Sequence, residues 1–203
     1  MPQPEPAEAS PKRGRPGYDR AQVLEVAVRV FNEHGYDATS VAHLTGELGL
    51  TKSALYHHFD SKSAILEVAL SDALDALEAV VDEARDQHPR ASDQLGSIIR
   101  GAVRVLTAKL PSVTLLLRVR GNSAVETAAL VRRRAFDQRV TAIVAEAQRE
   151  GLLRDDVDAA VATRLIFGMI NSVVEWYRPG GAVDPDELGE DIMRMTLSGL
   201  QSR

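Results

Sequence analysis

The chain has 203 residues, a formal net charge of −5 and no cysteine. That length holds one domain or two small ones with a sizeable core, and the missing thiol excludes a disulfide framework, thiolate catalysis and any Cys-based zinc or iron–sulfur site. An acidic balance also argues, at the level of bulk charge, against a nucleic-acid binder. No run approaches the roughly 20 apolar residues of a membrane helix. The opening MPQPEPAEASPKRGRP has no apolar stretch behind its charges and is not a signal peptide. The expected location is therefore the cytosol, with no membrane partner.

Residues 1–18 carry too little apolar surface to order themselves and read as a flexible arm, acidic at Glu5 and Glu8 and then basic at Lys12, Arg13 and Arg15. From Asp19 the pattern turns helical. Val23, Ala27, Val30 and Phe31 recur at the spacing of one helix face, Asp19 and Gln22 have capping-box spacing, and Gly35 is a stop. Ser40 caps a second helix with Val41, Leu44 and Leu48, ended by Gly49. Thr51 caps a third with Leu55 and Phe59 inward, and Ser61 a long fourth with Ile65, Leu66, Ala69, Leu70, Ala73, Leu74, Leu77 and Val81 inward. Further helices are predicted over about 93–110, where Pro111 interrupts, then 112–120, 125–150, 158–177 and, after Asp184-Pro185, a last one with Leu188, Ile192, Met195 and Leu200 as its stripe. The segment 158–177 is apolar nearly all round, which predicts burial on every face. No strand pattern occurs. The fold class is all-α, with about nine helices and a boundary at the start of the fourth.

The informative stretch is residues 39–62, TSVAHLTGELGLTKSALYHHFDSK. Two short helices joined by Gly49-Leu50 make a helix-turn-helix, whose second helix lies in the DNA major groove with its N-terminal residues toward the bases. Its outward residues are Thr51, Lys52, Ser53, Ala54, Tyr56 and His57. Gly35-Tyr36, Thr39-Ser40-Val41, Gly49-Leu50-Thr51-Lys52-Ser53, Leu55-Tyr56-His57-His58-Phe59 and Ser61-Lys62 together closely resemble the TetR family of bacterial transcriptional regulators. The motifs cover about residues 19–70. The chain departs at Leu44-Thr45, where the family often has Ile-Ala, and at Ser53, where it often has Gly; Ser53 faces the groove, so base preference is what that change affects.

The resemblance implies a homodimer with a DNA-binding domain at 19–62 and an effector-binding and dimerisation domain at 63–203. By the same resemblance Thr39, Ser40 and Tyr56 contact DNA, Thr39 and Tyr56 at phosphates. Thr51, Lys52, Ser53, Ala54 and His57 meet base edges or backbone, and Lys62 holds a phosphate with the amides at the start of the fourth helix. Lys12-Arg13-Gly14-Arg15-Pro16 resembles an AT-hook core, with two readings open: arginines inserted in a narrow minor groove, or a tail that only attracts phosphate. Bulk charge does not decide the matter: residues 1–62 carry 7 basic and 8 acidic side chains, yet three of the four lysines (Lys12, Lys52, Lys62) fall on the expected DNA surface.

Other chemistries find little support. His57 and His58 diverge by about 100° on a helix, so they do not chelate one metal. There is no Gly-rich phosphate loop, no His-Glu-x-x-His and no nucleophile elbow, so neither an enzyme nor a cofactor is expected. Asp155, Asp156 and Asp158 read as a turn and a helix cap.

In the second domain the last two helices are expected to form the dimer interface, with Trp176, Tyr177, Met195 and Leu200 as candidates, and a pseudo-palindromic operator would match the twofold protein. Effector-lining candidates are Leu106, Leu110, Leu117, Phe136, Val140, Phe167, Ile170, Asn171 and Val174, each of which plain core packing would also explain. Glu175-Trp176-Tyr177-Arg178-Pro179-Gly180-Gly181 resembles members that answer to acyl-CoA thioesters. On that resemblance Arg118, Arg120 and Arg132-Arg133-Arg134 could meet coenzyme phosphates; a solvated helix face is the alternative. The expectation is thus a repressor released from double-stranded operator DNA by a small hydrophobic or acyl-CoA-like effector. The rivals are a DNA-binding protein without an effector and a helical interaction protein that no longer binds DNA.

Overall fold

The computed structural model describes residues 18–200, and within them the chain forms nine α-helices and no strand. The expected arm residues Lys12, Arg13 and Arg15 lie outside the described residues. The first four helices, α1 (Arg20–His34), α2 (Val41–Leu48), α3 (Lys52–His58) and α4 (Lys62–Gln87), start at the residues whose side chains cap them. Asp19 and Gln22 form a reciprocal capping box on α1, while Ser40, Thr51 and Ser61 accept from the amides of His43, Ala54 and Ala64. Each satisfies a donor that the helix cannot. Gly49 ends α2 at φ 62°, a left-handed conformation that costs glycine nothing and turns α3 across α2.

The remaining helices are α5 (Ala91–Ala108), α6 (Leu110–Arg118), α7 (Ala124–Arg149), α8 (Ala159–Trp176) and α9 (Pro185–Leu200). The helix break expected at Pro111 falls at Lys109, between α5 and α6, and Pro111 itself follows it. It sits in the first turn of α6, where a missing N–H removes no hydrogen bond. α6 stops at Arg118 rather than residue 120 because the buried Glu126 carboxylate accepts from the backbone N–H groups of Arg120 (3.0 Å), Gly121 (2.8 Å) and Asn122 (3.0 Å). Those three amides are therefore drawn to one oxygen instead of continuing the helix.

α5 is the central helix, packed against α4, α7, α8 and α9. Gly101 allows its approach to α4, since a Cβ there would lie 2.5 Å from Val80 Cγ1. One continuous core runs from Val23, Phe31, Leu44 and Leu55 through Leu66, Leu70 and Leu74 to Ile98, Leu106, Val144 and Ile170.

α8 is covered on one face only within the single chain. Ala162, Thr163, Ile166, Ile170 and Val173 point inward, but Val161, Leu165 (66% exposed), Met169 and Trp176 (48% exposed) form an outward stripe. An all-apolar helix needs cover on every face, and the single chain supplies it on one. On α9, Ile192 is buried but Met195 is 68% exposed.

Candidate nucleic-acid interface and the cavity behind it

α3 is a seven-residue helix held by two buried side chains, Leu55 and Phe59. Its opposite face presents Thr51, Lys52, Ser53, Tyr56 and His57 to solvent, with Ala54 half-buried. The Lys52 ammonium lies 5.7 Å from the centre of the Tyr56 ring, so a cation and a phenol project together. The hydroxyls of Ser40 and Thr51 accept their cap hydrogen bonds at 3.1 and 3.2 Å. A hydroxyl that accepts still has its own O–H to donate, so capping leaves both able to reach a phosphate. Sequence reading missed Arg20 as a support of this surface. Its guanidinium stacks 4.5 Å from the Phe59 ring centre and its Nε donates to the His58 carbonyl at 3.4 Å, tying α1 to the end of α3.

Two residues expected at phosphates have partners within the chain. Thr39 is buried, and its Oγ1 donates to the Gly35 carbonyl at 2.7 Å. Lys62 is half-buried, and its Nζ donates to the carbonyls of Tyr36 and Thr39, both at 2.8 Å, while resting 4.1 Å from the Tyr36 ring centre. The ammonium fastens the α1–α2 turn to α4, and short-range pattern gave no sign of it because the partners are 23 and 26 residues away.

Behind this surface, α4, α5, α6, α7 and α8 enclose a half-open cavity of about 280 Å³. α4 contributes Leu74 and Leu77, α5 contributes Ala102 and Leu106, and α6 contributes Val113, Leu116 and Leu117. α7 adds Arg133, Phe136 and Asp137, and α8 adds Thr163, Arg164, Phe167, Gly168, Ile170 and Asn171. Phe136 and Phe167 meet edge to face at 5.2 Å. The wall thus includes Leu106, Leu117, Phe136, Phe167, Ile170 and Asn171 from the sequence-based set. Leu110 and Val174, half-buried, and Val140, fully buried, lie elsewhere. Of the charged members, Arg133 belongs to the arginine run expected at coenzyme phosphates, while Asp137 and Arg164 had no place in the sequence-based set. Burial pushes the Asp137 carboxyl up from the ordinary aspartate range, and Arg133 and Arg164 oppose the shift.

The arginine run 132–134 divides by helix angle. Arg132 is committed to Asp75 (2.6 Å) and Glu78 (2.8 Å) on α4, Arg133 lines the cavity, and Arg134 is exposed. Arg118 does not meet the cavity. Its Nη1 donates to the Asn32 carbonyl at 2.7 Å, Asn32 Nδ2 donates to the Pro111 carbonyl at 2.8 Å, and Asn122 Nδ2 reaches Asp37 Oδ2 at 3.0 Å. α6 therefore touches the cavity on one side and α1 on the other, a second link beside α4.

Among the dimer candidates, Tyr177 is only 5% exposed and belongs to the core of its own subunit, because it lies past the end of α8 and folds back. Leu200 is half-buried and its carbonyl accepts from Arg154 N at 2.8 Å. Trp176 and Met195 face outward.

Comparison with known proteins supplies the family. Residues 23–69 match the family model described as bacterial regulatory proteins, tetR family, and residues 88–200 match that of the tetracyclin repressor-like C-terminal domain. An HTH-type transcriptional repressor, KstR2, from Rhodococcus jostii is 28% identical over 203 residues, 98% of each chain. A TetR-family regulator from Streptomyces coelicolor A3 is 48% identical, with a TM-score of 0.83 over 89% of this chain and 91% of that one. AibR, crystallised with isovaleryl coenzyme A and operator DNA, shares the fold at 21% identity and a TM-score of 0.73 over 87% of this chain and 96% of its own. With its amino-terminal motif and most of its remaining length matched in this way, the chain belongs to the TetR family, which consists of DNA-binding transcriptional regulators and not of enzymes.

Proposed function

We propose that the protein is a dimeric repressor acting in the cytoplasm on a pseudo-palindromic operator, released by a small hydrophobic or acyl-CoA-like effector. The observation that carries the reading is the face of α3, where Lys52, Ser53, Tyr56 and His57 are exposed on a helix locked from behind by Leu55 and Phe59. In this reading residues 19–62 bind DNA and residues 63–203 bind effector and partner subunit. Ser40, Thr51 and Tyr56 contact phosphates, while Lys52, Ser53, Ala54 and His57 approach base edges. The outward stripe of α8 with Met195 of α9 pairs with its twofold copy.

The operator-competent dimer holds its two α3 helices about 34–36 Å apart, one turn of DNA. An effector in the cavity acts through its differential affinity for that state and a second one. Both α4 and α6 line the cavity and pack against α1, so a shift of either is carried to the first three helices and changes the separation. Relatives named as repressors, and the neighbour solved with both an acyl-CoA and operator DNA, support this choice.

A gel shift on the DNA upstream of the protein's own gene tests it. Wild type should retard this DNA, and Lys52→Ala combined with Tyr56→Ala should abolish the shift while leaving the helical content unchanged. Equal retardation by wild type and variant would remove α3 from the role of recognition helix.

A further inference from the structure

The cavity wall is apolar on the α4, α5 and α6 sides and carries its ionisable groups on α7 and α8 alone: Arg133, Asp137 and Arg164. The nearby Arg132 is spent on Asp75 and Glu78 and Arg139 on Asp82, and Arg104 on α5 is spent on Asp186. Among the described residues neither Arg133 nor Arg164 makes a contact-distance ion pair, and the two share through space the single carboxylate of Asp137. Two cations and one carboxylate leave the wall with a net charge of +1 when all three are ionised.

A charge beside an apolar enclosure is costly unless something pairs with it. Arg133 is half-buried and Arg164 exposed at the opening, so the unpaired charge sits where the cavity meets solvent. We infer that the effector is amphipathic, its apolar body enclosed by Leu74, Leu106, Leu116 and Phe136 and an anionic oxygen group seated between Arg133 and Arg164. The inference rests on the reading of this cavity as the effector site.

Size bounds the enclosed part. A dry protein cavity of about 150 Å³ accommodates benzene, with its six heavy atoms. At about 280 Å³ this one encloses on the order of twelve heavy atoms, the size of a ten-carbon carboxylate. A coenzyme A thioester fits only with its acyl part inside and the rest beyond the opening. The shared chemistry is an apolar chain with an anionic oxygen group at the two arginines. That group is the carboxylate of a free acid or a phosphate of the coenzyme.

Isothermal titration of the full-length dimer with decanoate, 1-decanol and decanoyl-CoA separates these. Wild type should bind decanoate at least tenfold more tightly than the neutral alcohol. Arg133→Gln and Arg164→Gln should each weaken decanoate at least tenfold and leave decanol unchanged, which also shows that the apolar cavity has folded. Arg134→Gln, on the exposed side of α7, should bind as wild type. If decanoyl-CoA binds and the free acid does not, yet either arginine variant weakens the thioester, the head is a coenzyme phosphate and the anion seat stands. Equal affinity for decanol and decanoate, or equal losses for both in the variants, overturns the anion seat while leaving the cavity as an effector site. Binding of none of the three overturns both.

Discussion

Replacing Lys62 by Met separates a structural from a DNA-contacting role for this residue. The ammonium donates to two backbone carbonyls at 2.8 Å and lies 4.1 Å from the Tyr36 ring centre. Hydrogen bonds from a charged donor contribute about 1.5–3 kcal/mol each, and a partly solvated cation–π contact about 0.5–1 kcal/mol. Because Lys62 is half-buried and water can replace part of these bonds, the low end of each range applies, and the loss is about 3.5 kcal/mol. Methionine keeps the apolar stem, so little packing is lost. For a chain of this length about 1 kcal/mol shifts Tm by about 2–4 °C, which places the Lys62→Met transition about 7–14 °C below wild type. Thermal unfolding followed by circular dichroism without DNA measures this. The dependence of operator affinity on salt is measured in parallel, well below both transitions. A lysine bound to phosphate would instead leave Tm unchanged and lower the slope of log affinity against log salt by about 0.9 per subunit. A Tm within 2 °C of wild type together with that fall in slope would refute the assignment of Lys62 to the α1–α2 turn.

Two further outcomes concern α7 and α8. Burial raises the Asp137 carboxyl above its unfolded-chain value, so the stability it contributes is present in acid and lost as pH rises through the folded-state value. Asp137→Asn, which never ionises, should therefore be more stable than wild type at pH 7, with the gap closing as pH falls toward about 4; a gap that widens in acid would reverse the assigned cause. Leu165→Arg should break the dimer, since losing burial of one leucine costs about 2 kcal/mol, twofold symmetry doubles it, and the dimer Kd rises about a thousandfold. Sedimentation should show monomer at micromolar concentration, and an unchanged dimer would place the interface away from the α8 stripe.

Sequence alone determined what is decided within a turn or two of chain. Asp19, Ser40, Thr51 and Ser61 cap their helices because an N-cap oxygen needs only an amide two or three residues ahead. Leu55 and Phe59 are buried together because four residues span one helical turn. The exposed set Thr51, Lys52, Ser53, Tyr56 and His57 follows from that same period. Its spacing from the Gly49 turn carries the family likeness. Tertiary structure decided everything that depends on which distant group faces a side chain. Lys62 meets carbonyls more than twenty residues away, and Tyr177 folds back into its own subunit. Adjacent Arg132 and Arg133 point about 100° apart, so one meets carboxylates on α4 and the other an apolar cavity. Apolar periodicity says that a face is covered but not by what, and so it could not separate the outward stripe of α8 from its inward one. Nor could it tell a filled core from the cavity that gives this regulator room for a ligand.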